Sequence, residues 1–277
     1  MKKIHYKTKS FDSKNADIWI VVDLECKLYN NPNKRVVISK YSKGKIIKDF
    51  SNKYAVVEFD NGKVVMLNKK YILINLYDVM QKEVIYSITN ATSAIYNING
   101  NDIPEVTGRV LYPNMIESGK FKVPLMYRTA EKLFHAENDF LKQGLTIKIY
   151  DTYRPYPVTQ YLYEKTLKIA DKYSDVLNRT INGFEYSQKW FLAEHESSHN
   201  YGVAIDMSLV DLNNNEELAM QSNMHDLSVF SVIDYNNDNA KKMYKIMKKN
   251  RFSPLRSEWW HFQDNSAKVA AMDFYVS

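Results

Sequence analysis

Four residues in the last third of the chain carry side chains that could do chemistry together: His199, Asp206, Glu258 and His261. The first two sit in SSHNYGVAIDMSLVD, where Asp206 interrupts an apolar run. A carboxylate inside such a run is costly unless something cationic meets it. Two imidazoles and one carboxylate would hold Zn²⁺ and leave a fourth position open for water, the pattern of a catalytic rather than a structural zinc site. The chain has one cysteine, Cys26, so neither a disulfide framework nor a cysteine-rich metal site is available. Any metal must then be held by His, Asp and Glu.

Geometry sets a condition on this reading. Residues seven apart on an ideal strand point to opposite faces. His199 and Asp206 can meet one ion only if the chain bends between them, and Gly202 is placed to allow it. Glu258, three residues before His261, could act as general base on the attacking water. Each residue also has a plainer explanation. His199 could be a hydrogen-bonded loop residue, Asp206 the partner of a buried arginine, and Glu258 with His261 a surface pair over a tryptophan core. Glu194, His195 and Glu196 in AEHES read as a polar loop, and His225 in SNMHDLS as structural or substrate-lining.

The elements that must position these groups can be read from periodicity. TAEKLFHAENDFLKQG has a helical face, with Thr129 placed to cap its start and Gly144 its end. LTIKIY alternates as a strand and stops at DTYRPYP, and Pro157 can open a helix that runs to about Tyr173. VAIDMSLV reads as a strand, NAKKMYKIMKKN as a basic helix and SEWWHF as a last short strand. Helices among strands without a βαβ rhythm predict an α+β domain.

The region before residue 80 has a different texture. IWIVVDL, VVIS and YAVVEFDNGKVVML are strand-like, the last with a type I′ hairpin signal at Asn61-Gly62. The strand spacing, ending in Lys-Lys-Tyr-Ile, resembles a bacterial SH3-type domain. Residues 1–80 hold 16 Lys and Arg against 8 Asp and Glu, a net of +8, while residues 81–277 hold 22 against 24, a net of −2. A basic surface of this kind could meet an anionic wall polymer, or be no more than a solvated lysine-rich face. It lacks a recognition helix or stacking motif for nucleic acid.

No apolar run approaches the ~20 residues that span a bilayer. The basic start MKKIHYKTKS lacks an apolar segment after it, so no signal peptide is readable. Cytoplasmic residence is the default expectation, with wall or extracellular action open if a signal was removed or lysis releases the protein.

Taken jointly, Ser197, His199, Gly202, Ala204 and Asp206 form S-x-H-x-x-G-x-A-x-D, and Glu258, Trp260 and His261 form E-x-W-H. This combination resembles the zinc metallopeptidases that cleave peptidoglycan peptides. TGRVLYP, the DTYRP of KQGLTIKIYDTYRP and the EWWHF ending resemble the VanX-type D-alanyl-D-alanine dipeptidase branch (family M15). The resemblance covers roughly residues 80–277. It implies a zinc peptidase domain with a central antiparallel sheet flanked by helices, over residues 81–277, after the SH3-like barrel of residues 1–80.

The resemblance further implies one Zn²⁺ per chain on His199, Asp206 and His261, with Glu258 as catalytic base and Arg154 polarising the scissile carbonyl. Ser197, Asp151 and Asp226 fall where substrate contacts or their supports are expected. The implied substrate is D-Ala-D-Ala or a related peptidoglycan peptide. Carboxypeptidase or endolysin-type action on longer stem peptides is the neighbouring alternative, and a non-catalytic wall-binding protein the alternative of another class. One departure stands out: the branch's Met-Gly-x-x-Phe-Asp element is replaced here by MQSNMHDLS.

Overall fold

A computed structural model describes residues 10–80, 86–87, 97–98, 101–102, 123–154, 156, 159–164, 191–233 and 236–267. The N-terminal part supplies seven strands: β1 (Asp17–Ile20), β2 (Leu24–Leu28), β3 (Asn31–Ile38), β4 (Lys43–Asp49), β5 (Tyr54–Phe59), β6 (Val64–Asn68) and β7 (Ile72–Asn75). The expected IWIVVDL strand is divided after Ile20, because the chain turns there and Asp23 accepts the backbone N–H of Lys40. β5 and β6 do form a hairpin at Asn61-Gly62. Its loop has three residues rather than two, since Phe59 and Lys63 pair, and only Gly62 takes positive φ. That is a three-residue hairpin loop closed by a left-handed glycine, not a type I′ turn.

After α1 (Leu76–Met80) come the short strands β8 (Tyr86–Ser87), β9 (Asn97–Ile98) and β10 (Asn101–Asp102), and then β11 (Pro124–Met126). β11 pairs antiparallel with β7, so the first sheet runs β11-β7-β1-β4-β5-β6-β2-β3. Its two ends are not paired with each other, so the described strands form an open sheet and not the closed barrel expected. One edge is taken by β11, and the other, β3, is almost wholly exposed along its length. The pairing also crosses residue 80, tying the N-terminal strands to the segment that leads into the helix Tyr127–Leu141 and the second sheet.

The second sheet follows the order β15-β16-β13-β12-β8 and uses β12 (Leu145–Asp151), β13 (Ala204–Asp211), β15 (Ser253–Leu255) and β16 (Glu258–Gln263). β14 (Glu216–Glu217) pairs with β13, and β8 is the one described strand that runs parallel to its neighbour, β12. α2 (Tyr127–Leu141) and α3 (Asp238–Lys249) flank this sheet, giving the expected α+β arrangement. Of the helix expected after Pro157, residues 159–164 are helical and the rest lies outside the described residues.

α2 begins two residues before Thr129. The Tyr127 hydroxyl lies 2.9 Å from both Ser13 Oγ and Asp49 Oδ2, so tertiary contacts set the helix start, while Thr129 is buried against Asp264. One buried apolar cluster joins both sheets, from Ile18 and Trp19 through Leu73, Met126 and Leu133 to Met207 and Trp260. No described helix is long and apolar enough to cross a membrane.

The contact of α2 with β12 contains a buried carboxyl. Glu137 accepts hydrogen bonds from Thr146 Oγ1 at 2.5 Å and from the backbone N–H of Ile147 at 3.0 Å. Burial outweighs both bonds and raises its pKa from 4.5 to about 8. Between those values the fold holds a proton that the unfolded chain releases, so stability declines as pH rises through this window and levels off above it. Glu137→Gln, which carries no proton to lose, should narrow the gap between denaturation midpoints measured at pH 5 and pH 8. An unchanged gap would place the pH dependence elsewhere.

Candidate active site

β13 is buried on both sides, which suits its run of Ala, Ile, Met, Leu and Val. Asp206 is the exception in that run, and the pairing explains what it meets. Asp151 of β12 and His261 of β16 are its direct cross-strand partners, so the three side chains form a row across the sheet. His199 arrives from a single 3₁₀ turn, Ser198–Tyr201, that leads into β13. Gly202 ends that turn at φ +65, the bend anticipated from the sequence. A side chain at 202 would also collide with Leu73 of β7, because a Cβ there would stand 2.5 Å from Leu73 Cδ2.

Ligand-type atoms of His199, Asp206 and His261 lie within 4.8 Å of one another, and all three residues are buried. The hydrogen bonds around them fix which atoms face inward. Nδ1 of His199 is 2.6 Å from the carbonyl oxygen of Thr152. A carbonyl only accepts, so Nδ1 carries the proton and Nε2 presents its lone pair. Nε2 of His261 lies 3.4 Å from Gln263 Oε1, which leaves Nδ1 of His261 facing the centre. The two inward nitrogens are 3.3 Å apart, and Asp206 Oδ1 is 3.0 Å from His261 Nδ1 and 3.4 Å from His199 Nε2. Three donor-type atoms so close repel one another unless a proton or a metal cation sits between them. The donor set, its burial and its outer hydrogen bonds therefore fit a zinc ion.

Glu258 and His261 are three apart, which in a regular strand would put them on opposite faces. The pairing of β15 with β16 is irregular between Pro254 and Leu255, and Glu258 Oε2 comes to 3.5 Å from His261 Nδ1. Burial, reinforced by the charge of Asp206, pushes the Glu258 carboxyl well above the usual range, against the pull of Arg154 and Trp260. Burial works the same way on Asp206, but contacts with His199, His225 and His261 outweigh it and hold that carboxyl well below the usual range. His261 is pushed down by burial, partly countered by Asp206. Their surroundings thus push the two carboxyls in opposite directions, Asp206 towards the ionised form and Glu258 towards the protonated one.

Arg154 is buried and held from several directions. Its Nε donates to Asp151 Oδ2 at 2.8 Å, its backbone N–H to the His199 carbonyl at 3.1 Å, and its Nη2 lies 3.9 Å from Asp206 Oδ2. Asp151, with Thr152 N–H at 2.8 Å on its other oxygen, therefore tethers the arginine. Ser197 opens the turn that carries His199 and forms a capping box with Asn200, whose side chain accepts the Ser197 backbone N–H at 2.7 Å. Asp226 Oδ1 accepts the backbone N–H of Ser228 and closes its own loop. Glu194, His195 and Glu196 are exposed in a loop, as read from the sequence. His225 was legible only as structural or substrate-lining. It is buried beside the site, with Nε2 3.4 Å from Asp206 Oδ2.

Comparison with known proteins agrees with this arrangement. Residues 106–276 match the peptidase M15 family, described as D-ala-D-ala dipeptidase, and every residue of the site lies inside that span. The chain is also 26% identical over 163 residues to a D-alanyl-D-alanine dipeptidase of Enterococcus faecium, across 54% of this chain and 78% of that protein. With more than half its length inside the match, the chain belongs to the M15 D-Ala-D-Ala dipeptidase family and is an enzyme of the metallopeptidase type.

Proposed function

We propose that this chain hydrolyses D-alanyl-D-alanine to two molecules of D-alanine, with one zinc ion per chain held by His199, Asp206 and His261. The observation that carries the reading is the convergence of three inward donor atoms with Glu258 and Arg154 at their border. Zinc in that position would polarise the scissile carbonyl and make the attacking water more acidic. Glu258, 3.5 Å from His261, takes the proton of that water and returns it to the leaving amino group. Arg154, tethered by Asp151, offers its guanidinium to the developing oxyanion. Ser197 Oγ and the carboxylate of Asp226 are candidates for gripping the ends of the substrate.

Residues 1–80 extend the proposal towards the cell wall. Lys27, Lys34 and Arg35 are exposed on β2 and β3, in keeping with a basic sheet that meets an anionic polymer. Longer stem peptides are the competing substrates, because the same machinery would serve them. Mass analysis of products from D-Ala-D-Ala, N-acetyl-D-Ala-D-Ala and a pentapeptide ending in D-Ala-D-Ala decides between them. A dipeptidase that holds the free amine should turn over the acetylated form at least ~10²-fold more slowly. Equal kcat/KM for free and acetylated forms would mean an open cleft and a carboxypeptidase or endopeptidase. The same protein should sediment with purified cell walls at low salt and leave them at high salt; indifference to walls removes the role of residues 1–80.

A further inference from the structure

His225 stands where the ligand reading alone gives it no task. It is buried, and its backbone takes φ +55, a left-handed conformation that costs a residue with a side chain and usually persists where the surroundings require it. The imidazole lies edge-on to Tyr150 and Trp260, with ring centres 5.9 and 5.7 Å away. Its Nε2 faces Asp206 Oδ2 at 3.4 Å, long for a hydrogen bond but closed by a small rotation of either side chain.

The two oxygens of Asp206 thus have separate surroundings. Oδ1 faces His261 Nδ1 and His199 Nε2, while Oδ2 faces His225 Nε2 and, at 3.9 Å, Arg154 Nη2. A free carboxylate can swing so that either oxygen, or both, meets an ion. Holding the far oxygen leaves Oδ1 as the single donor and keeps one position of the ion clear for water. We propose that His225 is a positioning residue, which donates its Nε2 proton to Asp206 Oδ2 and fixes Asp206 as a one-oxygen ligand. This rests on the metal reading above.

The test uses the full chain. Zinc dissociation constants are measured by chelator competition for the wild type, His225→Ala and His225→Gln, and thermal midpoints for the metal-free proteins. Loss of an outer hydrogen-bond partner of a ligand typically weakens metal binding ~10–100-fold, and the alanine variant should show that loss. Glutamine places an amide N–H near the position of Nε2 and should bring affinity back to within a few-fold of wild type, although its metal-free stability need not recover. Zinc binding by His225→Ala equal to wild type overturns the proposal, and so does a glutamine variant as weak as alanine while both stay folded. If alanine prevents folding, the glutamine variant alone decides by the same criterion. A wild-type chain that binds no zinc overturns the metal reading and this inference with it, an outcome distinct from tight wild-type binding that His225 does not influence.

Discussion

Glu258→Gln should keep its zinc and its fold and lose hydrolysis by ~10²–10⁴-fold, the share that general acid–base catalysis usually supplies. The loss corresponds to about 3–5 kcal/mol of barrier. Glutamine matches the shape of the carboxyl in its buried corner beside His261 and Trp260, so packing is preserved. It also removes a group that is expensive to ionise there, so thermal stability should hold or rise slightly. What glutamine cannot do is accept a proton from water and return it to the leaving amine. Zinc content and the rate of D-Ala-D-Ala hydrolysis are measured on one preparation. A variant that loses its zinc would make Glu258 a ligand, and one that keeps its rate would move the base elsewhere.

His199→Ala should abolish tight zinc binding, with a larger effect than any substitution outside the donor set. The change removes one of three donors and leaves Thr152 O without the Nδ1 proton that now meets it. It also leaves Asp206, already surrounded by buried groups, with one fewer polar partner. Loss of one member of a buried charged cluster is costly because the remaining charge has no water to turn to. Metal analysis after dialysis against buffered zinc should show a stoichiometry near zero. Full zinc occupancy in His199→Ala would place the ion away from the His199–Asp206–His261 group.

The second sheet was readable because its strands follow the rules that sequence obeys locally. Leu145–Asp151, Ala204–Asp211 and Glu258–Gln263 match LTIKIY, VAIDMSLV and SEWWHF to within a residue or two at each end. The bend at Gly202 followed from the requirement that His199 and Asp206 face each other, and the chain does turn there. What stayed hidden depends on distant partners. Pro124–Met126 is too short to announce itself and is a strand only because β7 offers it an edge. The start of α2 answers to Ser13 and Asp49, more than 70 residues away in sequence. Glu258 shares a face with His261 through an irregular pairing, which no period of two foretells. His225 lies in MQSNMHDLS, the segment that departs from the branch's pattern, and its inward turn needs a backbone conformation that composition does not encode.

The pairing of β11 with β7 also sets a timetable for synthesis. β1–β7 are made before any residue of the site, and their sheet presents β7 as an open edge. That edge stays without its neighbour until Pro124–Met126 emerges, about 50 residues later, a wait of ~2–10 s at ~5–20 residues per second. An unpaired edge is a template for any other strand, including that of a neighbouring nascent chain. Once β11 docks, Met126 N–H bonds to the Gly202 carbonyl and Tyr153 N–H to the Pro124 carbonyl, so the same three-residue strand braces the turn that carries His199 and the stretch that carries Arg154. The newborn enzyme is therefore most exposed to mispairing in the interval before its catalytic half has anything to build on.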